Sequence, residues 1–159
     1  MSADSAASAA NKSPQKSPRH RARELAMQGI YQWRVTGGGA PQIERQIHAE
    51  KNLGRYDKEL FSSLLRGSLG GHADIEALIT PHLDRPLAEL SPVEFAVLLL
   101  GTFELSQNLQ VPYKVVINEA VELAKTFGGT DGHKYVNGVL DKIAAQLRAS
   151  EFDGRSKSK

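Results

Sequence analysis

A chain that carries a 3.6-residue apolar stripe on both sides of one glycine-rich turn has little freedom in what it can fold into. Residues 111–147, VPYKVVINEAVELAKTFGGTDGHKYVNGVLDKIAAQL, have this form. In the first half Val116, Ala120, Leu123, Ala124 and Phe127 recur at helical spacing, with Lys114, Asn118, Glu119, Glu122 and Lys125 on the other side, which predicts a helix with one buried face. Pro112 suits the first helical turn, where a missing N–H costs nothing, and Gly128 and Gly129 are expected to supply the left-handed backbone that ends helices. In the second half Val136, Val139, Leu140, Ile143 and Leu147 repeat the pattern, with Thr130 or Asp131 available as N-cap. Asn137-Gly138 would elsewhere suggest a hairpin. Here the stripe runs through it, so Gly138 is expected at a helical position approached by another backbone, at a cost of about 1 kcal/mol against Ala.

The same spacing organises the rest of the chain. Ala22, Leu25, Ala26, Gly29, Ile30 and Trp33 predict a helix from Arg19 to the run Gly37-Gly38-Gly39, and residues 41–50 predict a short one with Ile43 and Ile47 inward. Tyr56, Leu60, Phe61, Leu64, Leu65 and Leu69 begin a third stripe, which Ile75, Leu78, Ile79 and Leu83 continue. Gly70-Gly71 could break it, but the unbroken register predicts one long helix, kinked in its last turn by Pro81. Asp84-Arg85-Pro86 reads as the linker between two helical halves. Ser91, Pro92 and Glu94 fit N-cap, N1 and N3 of a capping box, with Leu90 and Phe95 as a hydrophobic staple. The residues that follow, Phe95 through Leu100 and Phe103, are apolar almost all round, so that helix should run through the centre. No segment alternates with period two for long enough to make a strand. The expected fold is all-α, about seven helices in two small sub-bundles sharing a core. Residues 1–18 are expected to be a disordered basic tail, 19–148 a single domain and 149–159 a flexible tail.

Composition narrows the function. There is no cysteine, which removes disulfides, thiol catalysis and the commonest zinc sites, and fits a reducing cytoplasm. The histidines His20, His48, His72, His82 and His133 are scattered one per element. The glycine run lacks GxGxxG spacing and any phosphate-loop lysine. Asp131 and His133 could be drawn as an acid–base pair with Glu119, but a helix-capping aspartate and a partly exposed histidine explain them more simply. No catalysis, cofactor or metal is expected. No apolar run approaches the ~20 residues of a membrane span, and the N-terminus lacks the apolar region of a signal peptide. The net charge of +2 conceals a division: residues 12–23 carry five basic and no acidic residues, whereas residues 24–147 carry 11 basic against 15 acidic. A basic arm on an acidic body points to a polyanion for the arm and a basic partner for the body; the plain alternative is an arm that only aids solubility. Arginines at a helix start oppose the helix dipole, and a bound phosphate would relieve that conflict.

PYKVVINEAVELAKTFG, a short turn and HKYVNGVLDK together resemble the C-terminal signature of the NusB family, bacterial transcription antitermination factors. ARELAMQGIYQW and LSPVEFAVLLLGTFEL fall in that family's order and spacing, so the resemblance covers residues 19–147. It implies a NusB-like helical bundle that binds the boxA element of nascent RNA together with NusE, a small-ribosomal-subunit protein. It also implies assembly with RNA polymerase and other Nus factors, notably on ribosomal RNA operons. The RNA site it implies joins the arm to the glycine-rich turn through Arg19, His20, Arg21, Arg23, Gln28, Phe127, Asp131, Lys134 and Tyr135, with His20 standing where an arginine is usual. The implied NusE surface comprises Tyr31, Arg85, Glu89 and Glu94. Read from the residues alone, cations and aromatic faces are what single-stranded RNA needs. Phe127 fits the core equally, Glu94 already has a capping role, and Tyr31 borders the core stripe. Self-association of free chains through the acidic surface stays open. The same fold fronts a ribosomal-RNA cytosine methyltransferase, whose cofactor domain and catalytic cysteine this chain lacks. A detached RNA-binding domain of that type, or a purely protein-binding helical module, are the alternative readings.

Overall fold

Ser17 and Pro18 set the first helix going: the Ser17 hydroxyl accepts from the His20 N–H at 3.0 Å, and Pro18 takes the next position. The helix α1 (Pro18–Thr36) therefore starts one residue before the stripe predicts. The computed structural model describes residues 16–129 and 131–152, so most of the expected N-terminal tail and the Thr130 cap lie outside the described residues. The other helices are α2 (Ala40–His48), α3 (Lys58–Gly70), α4 (His72–Ile79), α5 (Pro92–Gln107), α6 (Tyr113–Phe127) and α7 (Gly132–Leu147), with 3-10 turns at Thr80–His82 and Leu87–Glu89. Among the described residues there is no strand.

The expected centre is α5. It packs against α1, α3, α4, α6 and α7, joining an N-terminal group of helices to the α6–α7 pair. Its Phe95, Ala96, Val97, Leu98, Leu99 and Leu100 are at most 2% exposed, as an all-round apolar helix requires. The capping box is formed, with the Ser91 hydroxyl accepting from the Glu94 N–H and the Glu94 carboxylate from the Ser91 N–H, both at 3.1 Å.

Several local expectations are corrected. The stripe across Gly70-Gly71 is not one regular helix. α3 and α4 meet at Gly71, whose φ of −107° and ψ of 21° leave the helical range. The register survives because helical hydrogen bonds still cross the joint, from the Gly71 N–H to Gly67 O at 3.1 Å and from the Ile75 N–H to Gly71 O at 3.0 Å. Pro81 turns the end of α4 into a 3-10 turn. Pro112 occupies the N-cap position of α6, one residue before the first helical turn. Gly128 is extended, not left-handed, with φ −101° and ψ −173°, and Gly129 is not among the residues with positive φ. Glycine is needed at 128 for another reason: a Cβ there would lie 2.7 Å from Ala124 O. Gly138 is exposed and a Cβ on it would meet nothing within 4 Å, so no backbone approaches it. The close approaches are at Gly29, where a Cβ would lie 2.8 Å from Leu65 Cδ1, and at Gly67, where it would lie 2.3 Å from the Phe103 ring.

The C-terminal boundary also moves. Arg148 is 3% exposed, and its guanidinium donates to the carbonyls of Leu105 at 2.7 Å, Val111 at 3.0 Å and Asn108 at 3.1 Å, stitching the α5–α6 loop. Glu151 pairs with Arg148 and accepts from the Tyr113 N–H at 3.1 Å, while Phe152 stacks on Tyr113 at 4.5 Å. Residues 149–152 thus belong to the packed body and not to a free tail.

Candidate RNA and protein interface

The arm and the glycine-rich turn are joined by a seam along which α1 and α6 run side by side. At one end the Glu119 carboxylate of α6 accepts from His20 Nδ1 at 2.7 Å. At the other, Phe127 lines a groove of about 320 Å³ with Met27, Gln28, Tyr31 and Val93. His20 to Gln28 and Glu119 to Phe127 are equal steps of eight residues, so the two helices travel together in the same direction for roughly 12 Å. Of the expected RNA residues, His20, Gln28 and Phe127 lie along this seam, whereas Arg19 contacts Asp57 at the cap of α3, and Asp131 and Lys134 contact each other.

The basic residues of the arm differ sharply in what they can offer. Arg19 is open, with 51% of its side chain exposed and only a 3.7 Å contact to Asp57. Arg21 is tied by Nε to Leu53 O at 2.9 Å and by Nη1 to Glu24 at 2.8 Å. Glu24 is fully buried and also takes Lys16 at 2.6 Å, with His20 Nε2 at 3.4 Å. Burial by itself raises the Glu24 carboxyl pKa, and the bonds from Lys16 and Arg21 outweigh it, so the group titrates below its ordinary range. Arg23 lies inside the protein: Nε and Nη2 fork onto Glu104 of α5 at 2.7 and 3.0 Å, and the side chains are 4% and 2% exposed. Burial pulls the Arg23 pKa down, and the Glu104 bond and charge more than offset it. Its guanidinium is occupied, which conflicts with the expectation of a phosphate contact at this position.

At the turn, Asp131 sits at the N-cap position of α7 but its side chain caps nothing; it is 78% exposed and 3.7 Å from Lys134, itself 74% exposed. Glu119 is engaged with His20, so the acid–base set of Asp131, His133 and Glu119 is not assembled. Phe127 is half-buried, packed on the core with part of its side chain lining the groove. Tyr135 faces away from the seam: Arg85 lies 4.3 Å above its ring and its hydroxyl accepts from the Asp84 N–H at 3.3 Å.

Tyr31, 41% exposed, shares the groove with Gln28 and Phe127. Glu94 reaches from its capping site to the start of α7, where its Oε2 lies 3.6 Å from where a Gly132 Cβ would be. Glu89 and Arg85 are exposed on the linker. The expected RNA and partner sets therefore touch twice, in the groove and at the Arg85–Tyr135 stack. The buried carboxylates Glu24 and Glu104, which hold the arm, were missed by the sequence reading; an isolated acid in an apolar stripe, as Glu104 is in FELS, was the available signal. A larger hollow, about 610 Å³, lies elsewhere between Trp33, Pro41, Leu69 and His72 and contains none of the expected residues. Among the described residues no group of three or more His, Asp or Glu could hold a metal ion, and no helix is long and apolar enough to cross a membrane.

Comparison with known proteins places the chain in a family. A transcription antitermination protein NusB of Burkholderia lata is 53% identical over 140 residues, covering 88% of this chain and 97% of that protein. The crystal structure of NusB from T. maritima superposes with a TM-score of 0.71 at 33% identity, over 82% of this chain and 92% of that one. A crystal structure of the antitermination factors NusB and NusE in complex with double-stranded RNA superposes with a TM-score of 0.72 at 28% identity, over 80% of this chain and 96% of that one. Residues 20–145 match the NusB family, and the chain belongs to it.

Proposed function

We propose that this chain is a transcription antitermination factor that binds boxA-type single-stranded RNA along the α1–α6 seam and a NusE-type ribosomal protein beside it. Its task is assembly, carrying both to elongating RNA polymerase in the cytoplasm, and no step of it calls for catalysis. The observation that carries the reading is the groove in which Gln28 and Phe127 of the RNA set lie against Tyr31 of the partner set. Arg19 and Lys134, with 51% and 74% of their side chains exposed, meet phosphates, and Gln28 and the Phe127 edge meet bases. His20 stands in place of a stronger cation and is shared with Glu119 and Glu24. Arg23 acts through Glu104 and shapes the arm from inside. Arg85, Glu89 and Glu94 extend the surface on the protein side. Because the two ligands meet, each should raise the affinity of the other by the same factor.

Titration of fluorescent boxA-type RNA, with and without the NusE-type protein, tests this. Arg19→Ala should weaken binding and flatten the log–log salt dependence by about 0.7, the contribution of one phosphate contact on a single strand. An unchanged slope in Arg19→Ala, or tighter binding of the matching duplex, would remove the seam as a single-strand site. Binding of the protein partner without any RNA affinity would leave a protein-binding helical module.

A further inference from the structure

A second basic hollow lies on a different flank of α1 from the seam, because His20 turns towards α6 while its neighbour Arg21 turns towards the α2–α3 loop. It encloses about 280 Å³ and is lined by Lys16, Pro18, Arg21, Leu53, Gly54 and Arg55. The loop is held in shape by left-handed backbone at Asn52, φ 64°, and Gly54, φ 78°. It is tied to α1 by the Asp57 N–H, which donates to Pro18 O at 3.0 Å, and by Arg21 Nε on Leu53 O at 2.9 Å. Every charged residue in this lining is a cation. The nearby carboxylates are already engaged, Glu24 beneath Lys16 and Arg21, and Asp57 at the cap of α3. Donors nevertheless remain. Arg21 Nη2 has no bond among the described residues, Lys16 is 53% exposed, and Arg55 is exposed with no ion pair or hydrogen bond among them. The backbone N–H groups of residues 51–56 make no hydrogen bond within the described residues either. Gathering cations and free N–H groups around a concavity is unfavourable in the empty protein and favourable for a bound anion.

We infer that this hollow is a phosphate-binding station for RNA, continuing the path of the strand past the arm and onto the α2–α3 loop. It rests on the RNA-binding reading above. His20 and Arg21 are neighbours in α1 that face the seam and the hollow respectively, so a strand leaving the seam at His20 places its next phosphates among Lys16, Arg21 and Arg55. The residue that carries the inference is Arg55, which has no structural duty among the described residues.

The test uses the full chain and fluorescent boxA-type RNA in a short form and in forms extended by about four nucleotides at either end. Arg55→Ala should bind the short RNA as the unsubstituted chain does. It should bind one of the extended forms about two- to fivefold more weakly, with a salt slope flatter by about 0.7, and Arg55→Lys should restore most of the loss. A melting curve shows that the fold is unaffected. If Arg55→Ala binds every RNA as the unsubstituted chain does while Arg19→Ala binds them all more weakly, the second station is overturned and the seam stands. If neither the unsubstituted chain nor Arg19→Ala shows salt-dependent RNA binding, the RNA reading falls and this inference with it. Loss of affinity for the NusE-type protein in Arg55→Ala, with RNA binding intact, would also overturn it and give the hollow to the protein partner.

Discussion

Arg23 separates an RNA contact from a structural one, because its guanidinium is forked onto Glu104 and shielded by Leu100, Gly101, Val116, Ala120 and Leu123. Arg23→Ala leaves a carboxylate that is 2% exposed with only Asn108 Nδ2, at 3.3 Å, as a side-chain partner. Removing one member of a buried ion pair costs about 3–5 kcal/mol, a large fraction of the ~5–15 kcal/mol that holds a domain together. At roughly 3 °C per kcal/mol for a domain of this size, the melting temperature should fall by about 10–15 °C. The paired substitution Arg23→Met with Glu104→Leu removes both charges and keeps most of the volume, and exchanges of this kind are neutral or stabilising by about 1–4 kcal/mol. Urea melts of the single and double variants measure the two stabilities, and RNA titration of the double variant, at a temperature where it is fully folded, measures function. Its affinity should stay within about twofold of the unsubstituted chain, since the pair does not reach solvent. The reasoning fails if Arg23→Ala costs under about 1 kcal/mol. It fails equally if the stable double variant loses as much RNA affinity as Arg19→Ala, for then Arg23 must leave Glu104 to reach RNA.

Two glycines should respond in opposite ways to the same change. Gly138→Ala, in open space on an exposed helical face, should stabilise by about 1 kcal/mol, whereas Gly67→Ala, with the Phe103 ring 2.3 Å from the new Cβ, should destabilise by about 1–3 kcal/mol and recover with Phe103→Leu; equal effects in urea melts would refute the packing account. Acid should unfold the protein through its engaged carboxylates. Glu24, Glu44 and Glu151 have folded pKa values below the ordinary 4.5, so each contributes stability that is complete above that value and is lost as pH falls through the folded one. The melting temperature should therefore drop below about pH 4.5, less steeply in Glu24→Gln, and a curve flat down to pH 3 would contradict this.

By itself the sequence determined where most of the helices lie, the capping box at Ser91 and Glu94, and the central place of α5. These depend on what lies within a few residues: a 3.6-residue stripe, a Ser three positions before a Glu, a proline at a helix start. The candidate site was legible as a set of residue types, since the arm, the turn and Tyr31 all stood out, but their separate roles were not. Arg19 and Arg23 are one helical turn apart and look alike in sequence, yet the side chain of one is 51% exposed and that of the other 4%. The difference is Glu104, 81 residues away along the chain, which packing brings under Arg23 and not under Arg19. Tyr135 turned from the seam to Arg85, Arg148 became a buried clasp, and the crowded glycines proved to be 29 and 67 instead of 138 for the same reason. A side chain's charge and size are local properties, but its partner and its share of solvent depend on which helix face arrives from elsewhere. Only the tertiary structure decides that.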